Sequence, residues 1–142
     1  MRFMILRKAD AKTEAGELPT QDLLKAMGDY AESLNTAGVL LDGNGLHPSD
    51  RGARVRFSGG RPSVVDGPFA ETKELVAGYF TIQVKSREEA IEWARRWPAL
   101  DADGEVELEI RQVFEAEDFG PELDTDLRER EERIFTEAAQ RK

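Results

Sequence analysis

No cysteine occurs among the 142 residues, which excludes disulfides and thiolate metal sites. Histidine is nearly absent as well, with His47 alone. A metal centre would have to rest on scattered carboxylates with no ligand spacing, so neither a metal nor a cofactor is expected. No apolar run approaches the roughly 18 residues of a membrane span. The apolar part of the opening stretch, Phe3-Met4-Ile5-Leu6, is too short for a signal peptide. A cytoplasmic protein with no membrane partner is the expectation. There is no glycine-rich phosphate loop ahead of a helix and no Ser/His/Asp arrangement at a recognisable spacing. Positive charge is scarce: 20 Lys and Arg face 29 Asp and Glu, a net charge of −9. That balance argues against direct nucleic-acid binding.

The densest run of special-purpose residues is Asp66-Gly67-Pro68-Phe69-Ala70-Glu71-Thr72-Lys73-Glu74. Gly67 can take positive φ, Pro68 fixes its own φ and restricts its predecessor, and Asp66 suits an Asx-type turn. The run reads as a stiff corner with Phe69 as its apolar anchor. It is either a rigid loop with its charges in water or a pocket wall, with Asp66, Glu71 or Lys73 facing a ligand.

Around this corner the chain divides into short elements. Phe3 to Leu6 reads as a central strand and Ala9 to Pro19 as a loop. Thr20 caps a helix carrying Leu23, Met27, Tyr30 and Leu34 at helical spacing, which Gly38 ends. Val39-Leu40-Leu41 is a short strand that Asp42-Gly43-Asn44-Gly45 interrupts. Ala53, Val55 and Phe57 alternate with Arg54, Arg56 and Ser58, which predicts a half-buried strand. Gly59-Gly60 predicts a two-residue hairpin turn leading into Arg61 to Val65. Phe80, Ile82 and Val84 mark one face of the next strand, with Tyr79, Thr81 and Gln83 on the other. Ser86-Arg87-Glu88-Glu89 is a capping box opening a helix with Ala90, Ile91, Trp93, Ala94 and Trp97. Val106, Leu108 and Ile110 alternate with three glutamates in a last strand.

The order is β-α-β, an inserted hairpin, then β-α-β. It predicts an α+β, ferredoxin-like βαββαβ domain over residues 1–115 with an inserted β-hairpin, helices on one sheet face only. A second copy packed face to face would cover the other face, so a homodimer is expected. Residues 116–142 read as a charged linker and helix, a C-terminal helical extension with a thin apolar stripe. Asp126/Arg130 and Glu129/Arg133 have helix-stabilising spacing. That helix is expected to dock on the core or on a partner.

Several residues could carry chemistry. His47, on a strand-end loop, is either a surface residue or, paired with a carboxylate, a general acid/base. Arg51, Arg54, Arg56 and Arg61 form a positive island. It is either a solvated hairpin face, an anion site, or a dock for the acidic face of the last strand. Tyr79 offers a hydroxyl at a strand start, or packs its ring.

The nine-residue run from Asp66 to Glu74 resembles the signature of the DGPF branch of the YCII-related (YciI-like) family. Gly43 to Pro48, Gly52 to Phe57 and Glu89 to Ala94 extend the resemblance over roughly residues 1–115. It implies a ferredoxin-like domain of the dimeric α/β-barrel type. It also suggests an accessory role in regulation. The residues themselves suggest a binding module for a small anionic ligand, with Arg54, Arg56, Asp66, Phe69, Glu71, Lys73 and Tyr79 as the candidate binding residues. The alternatives are a cofactor-independent isomerase or lyase using His47 and Asp66, and a purely structural dimer.

Overall fold

The computed structural model describes residues 1–141 and separates into two compact units, Met1–Gln112 and Val113–Lys142. In the first, six strands and three helices follow one another as β1 (Arg2–Lys8), α1 (Ala11–Glu14), α2 (Gln21–Thr36), β2 (Leu40–Gly45), β3 (Ala53–Ser58), β4 (Arg61–Asp66), β5 (Val76–Gln83), α3 (Arg87–Arg95) and β6 (Leu108–Gln112). Four strands form one antiparallel sheet in the order β2-β5-β1-β6, and β3 and β4 form a separate hairpin. This is the expected ferredoxin-like α+β topology with an inserted hairpin.

Alternation along β1 and β5 sends Phe3, Ile5, Phe80 and Ile82 to the helix side, where Tyr30 and Leu34 of α2 and Ala90 and Ala94 of α3 meet them. Ile5, Leu34 and Ile82 are fully buried. Tyr30, Phe80 and Trp97 form an aromatic triangle with centroids 5.3–5.7 Å apart. The Tyr30 hydroxyl donates to the Trp93 carbonyl at 2.7 Å and so ties α2 to α3. Burial pushes the Tyr30 pKa up to about 12. Met4, Leu6, Tyr79 and Thr81 lie on the opposite face, which no helix of this unit covers.

Local differences from the sequence reading have physical causes. The segment read as a loop contains α1, opened by a reciprocal cap in which Asp10 and Thr13 each accept the other's backbone N–H. β2 does not stop at Asp42 but runs on to Gly45. Gly43 is there for packing: a Cβ would lie 2.5 Å from the Phe80 ring. The hairpin strands form, with Gly59 and Gly60 at φ 57° and 78°, yet β3 is not half-buried; every residue of both strands is exposed, Phe57 at 67%. At α3, the Glu89 N–H does reach Ser86 Oγ, but the Glu89 carboxylate accepts from Lys85 N–H instead of closing the box on Ser86. β6 starts later than expected. The preceding turn places Ala102, Asp103 and Gly104 at positive φ, and pairing with β1 begins only at Arg7↔Leu108.

In the second unit α4 spans Thr125–Ala139, capped by Asp124. Phe114 and Phe119 stack at 5.0 Å. Arg128 pairs with Glu117 at 2.8 Å and Glu132 at 3.6 Å, in place of the expected Asp126/Arg130 and Glu129/Arg133 pairs. Lys142, the last residue of the predicted helix, lies outside the described residues.

Candidate functional site

The corner at residues 66–69 is fastened at several points. Ser49, opening the turn Ser49–Arg51, donates from its backbone N–H to Glu14 Oε1 at 3.0 Å and from Oγ to Glu14 Oε2 at 2.5 Å. Its Oγ also accepts the Phe69 N–H at 3.0 Å. One hydroxyl therefore joins α1 to the corner. The Gly67 N–H donates to the Gly52 carbonyl at 3.0 Å, closing the base of the hairpin. Gly67 does not adopt positive φ, as the sequence reading allowed; it is glycine because a Cβ would lie 1.7 Å from the Ser49 carbonyl oxygen. The Gly67–Pro68 peptide is cis.

Above this anchored base the hairpin sorts its side chains. Arg54 is opposite Val65, Arg56 opposite Ser63 and Ser58 opposite Arg61, so Arg54, Arg56 and Arg61 share one face. Val55, Phe57 and Val64 share the other. The Arg54 guanidinium lies 3.9 Å from the Phe69 ring centroid, a cation–π contact that couples the arginine face to the corner. Among the described residues, none of Arg51, Arg54, Arg56 and Arg61 forms an ion pair.

The residues singled out in the sequence fall into separate places. Arg54 and Phe69 come together. Asp66, Glu71 and Lys73 are exposed around the corner. His47 and Asp66 are both exposed, and no hydrogen bond joins their side chains. Tyr79 sits on the open sheet face, where its hydroxyl accepts from Asn44 Nδ2 at 3.1 Å and donates to Asp42 Oδ2 at 3.4 Å. Asp42 and Asn44, which by type break strands, lie within β2. Their i, i+2 spacing, once the strand continues through them, is the signal that they share a face with Tyr79.

A buried polar cluster lies elsewhere, and it was not foreseen. Arg7 binds Asp101 through Nε at 3.1 Å and Nη2 at 2.6 Å, with side chains only 9% and 7% exposed. The Trp97 Nε1–H donates to the same carboxylate at 2.9 Å. Arg7 Nη1 donates further to the Lys8 carbonyl at 2.8 Å and to Asp10 at 3.1 Å. The Asp101 hydrogen bond raises the Arg7 pKa against the opposing effect of burial. At Asp10 burial pushes upward, but the Thr13 N–H and Arg7 outweigh it and the pKa falls. No polar side-chain atom among the described residues is buried without a partner. The cluster is fully satisfied and acts as a clamp between β1 and the loop after α3.

One concave feature lies away from both places. A groove of about 520 Å³ runs along the β6 side of the sheet beneath α3, walled by Phe3, Ile91, Leu108 and Ile110 with Arg87 at its rim. Among the described residues no group of carboxylates and histidine is arranged to hold a metal ion, and no helix is long and apolar enough to cross a membrane.

Comparison with known proteins gives the following. The model of the YCII-related domain matches residues 1–117. An uncharacterised protein of Rhizobium meliloti (strain 1021) is 39% identical over 82 residues, covering 58% of this chain and 63% of the relative. The chain thus matches less than two thirds of that relative's length. Among solved structures, the 5-chloro-2-hydroxyhydroquinone dehydrochlorinase of Burkholderia phenoliruptrix AC1100, in complex with 2,5-dihydroxybenzoquinone, is 15% identical at a TM-score of 0.47. That likeness covers 84% of this chain and all of the other.

Proposed function

The chain belongs to the YCII-related family, and from that membership we propose that it is a small-anion-binding module serving an accessory or regulatory role as a homodimer. The observation that carries this reading is the hairpin's arginine face. Three guanidinium groups share one side of an exposed two-stranded ribbon, without carboxylate partners, in a chain of net charge −9. Unpaired like charges so close repel one another unless an anion sits among them. Arg54 is held against Phe69, which limits its rotamers while leaving N–H groups to donate to a carboxylate or phosphate. Lys73 adds positive charge on the corner. The exposed apolar face of the hairpin and the open face of the sheet supply the surface a second copy would cover.

The test is titration with inorganic phosphate and with benzoate, followed by calorimetry and thermal melting. Wild type should bind and gain stability with ligand concentration. The double variant Arg54→Ala/Arg56→Ala should lose that gain, while Lys25→Ala on α2 keeps it. An equal response from the arginine variant and wild type would refute the reading.

A further inference from the structure

We propose that β6 is a self-pairing edge, at which two copies of this chain join strand to strand into one continuous sheet. β6 ends the sheet order, so its outer row of N–H and C=O groups has no strand partner among the described residues. Exposed edges of this kind recruit another strand unless something blunts them. β6 contains no proline, no lysine and no bulge in its pairing with β1.

Its five residues, Leu108-Glu109-Ile110-Arg111-Gln112, identify the partner. Laid antiparallel on itself about Ile110, the strand places Ile110 opposite Ile110, Glu109 opposite Arg111, and Arg111 opposite Glu109. Both cross-strand charge pairs are then of opposite sign, the arrangement that stabilises antiparallel neighbours. In one copy Glu109 and Arg111 contact each other at 3.3 Å along the strand, so the exchange needs only small rotations of side chains already on the same face. A two-residue slip, which keeps the same faces together, would set Glu109 opposite Glu109 or Arg111 opposite Arg111, and this disfavours the neighbouring registers.

The groove beside the strand fits the same partner. A two-fold axis midway between the two Ile110 residues and normal to the sheet keeps both copies' helices on one side. The α3 helices then flank the axis, and the two mixed grooves, lined by Ile91, Leu108 and Ile110 together with Arg87, Glu109 and Gln112, come to lie on either side of the seam. This interface uses the edge of the sheet, whereas the face-to-face dimer above uses its open face; Glu109 and Arg111 stand on that open face beside Leu6 and Met4, so cross-linking at position 110, on the helix side, is what separates the two.

The experiment is mass measurement by light scattering and sedimentation on the whole chain, from micromolar to millimolar concentration. Glu109→Arg and Arg111→Glu should each weaken self-association by about tenfold, two favourable pairs being replaced by two unfavourable ones. The swap Glu109→Arg/Arg111→Glu should restore it. Because the chain has no cysteine of its own, Ile110→Cys should give a disulfide-linked dimer on oxidation, since paired strands bring those Cα atoms within bridging distance. Thr81→Cys on the open face reports the other interface separately. A monomeric wild type, single reversals without effect, a swap that fails to restore, or cross-linking at position 81 but not 110 would each overturn the proposal.

Discussion

Replacing Asp101 by alanine should cost the fold about 3–5 kcal/mol, a range set by the loss of one partner from a buried ion pair. The structure says why the value belongs in that range. Arg7 and Asp101 are bonded twice and nearly out of solvent, and Trp97 Nε1–H donates to the same carboxylate. Alanine therefore leaves a buried guanidinium short of two acceptors and an indole N–H short of one, the latter alone worth about 1–3 kcal/mol. Asp10 and the Lys8 carbonyl still hold Nη1, which keeps the loss near the lower end. The double variant Arg7→Met/Asp101→Leu removes both charges and keeps the volume. It should recover most of the stability, because the pair's attraction roughly offsets its desolvation. Urea unfolding followed by circular dichroism, with midpoint and slope fitted separately, measures all three proteins. A single variant within 1 kcal/mol of wild type, or a double variant as unstable as the single, would refute the description of this cluster as a desolvated clamp.

Two further outcomes follow. Gly67→Ala should destabilise by about 2 kcal/mol or more, since the added methyl meets backbone at Ser49 and cannot be absorbed by a rotamer change; hydrogen exchange should show the Phe69 and Gly67 amides losing protection. A Gly67→Ala protein as stable as wild type would remove the idea that the corner is riveted there. Alkaline pH should also weaken the fold through Tyr30. Its neutral form is favoured when folded, so the contribution is complete below the ordinary tyrosine value near 10 and is lost as pH climbs through about 12. Tyr30→Phe should flatten stability across that window, measured as urea midpoint against pH.

Much of the sheet could be read from period-two alternation, because Phe80, Ile82 and Val84 have no other way to share a face. Helix starts were equally legible where Thr20 and Ser86 supply their own caps. The ends of β2 and β6 were not. Gly43 looks like punctuation until the Phe80 ring that occupies its missing side chain is known. The alternation around Ile110 is the same whether the strand starts at 105 or 108, and only the extent of β1 decides. The site was less visible for a related reason. Arg54 and Phe69 meet because a hairpin folds one segment back on the other, and Arg7 finds Asp101 across 94 residues of chain. Nothing local marks either pairing. The arginine face itself was legible, since alternate residues of one strand must point the same way.

The hydrogen bond from Gly67 to the Gly52 carbonyl closes the base of the hairpin, and beyond it the Arg54–Phe69 contact ties the arm to the corner. Chain enters and leaves through one narrow gate, and no residue of β3 or β4 helps build the core. Past Arg54 the ribbon can therefore be lengthened, shortened or rewritten without a core contact being lost. An engineer could exchange the arm as one would change the bit on a drill.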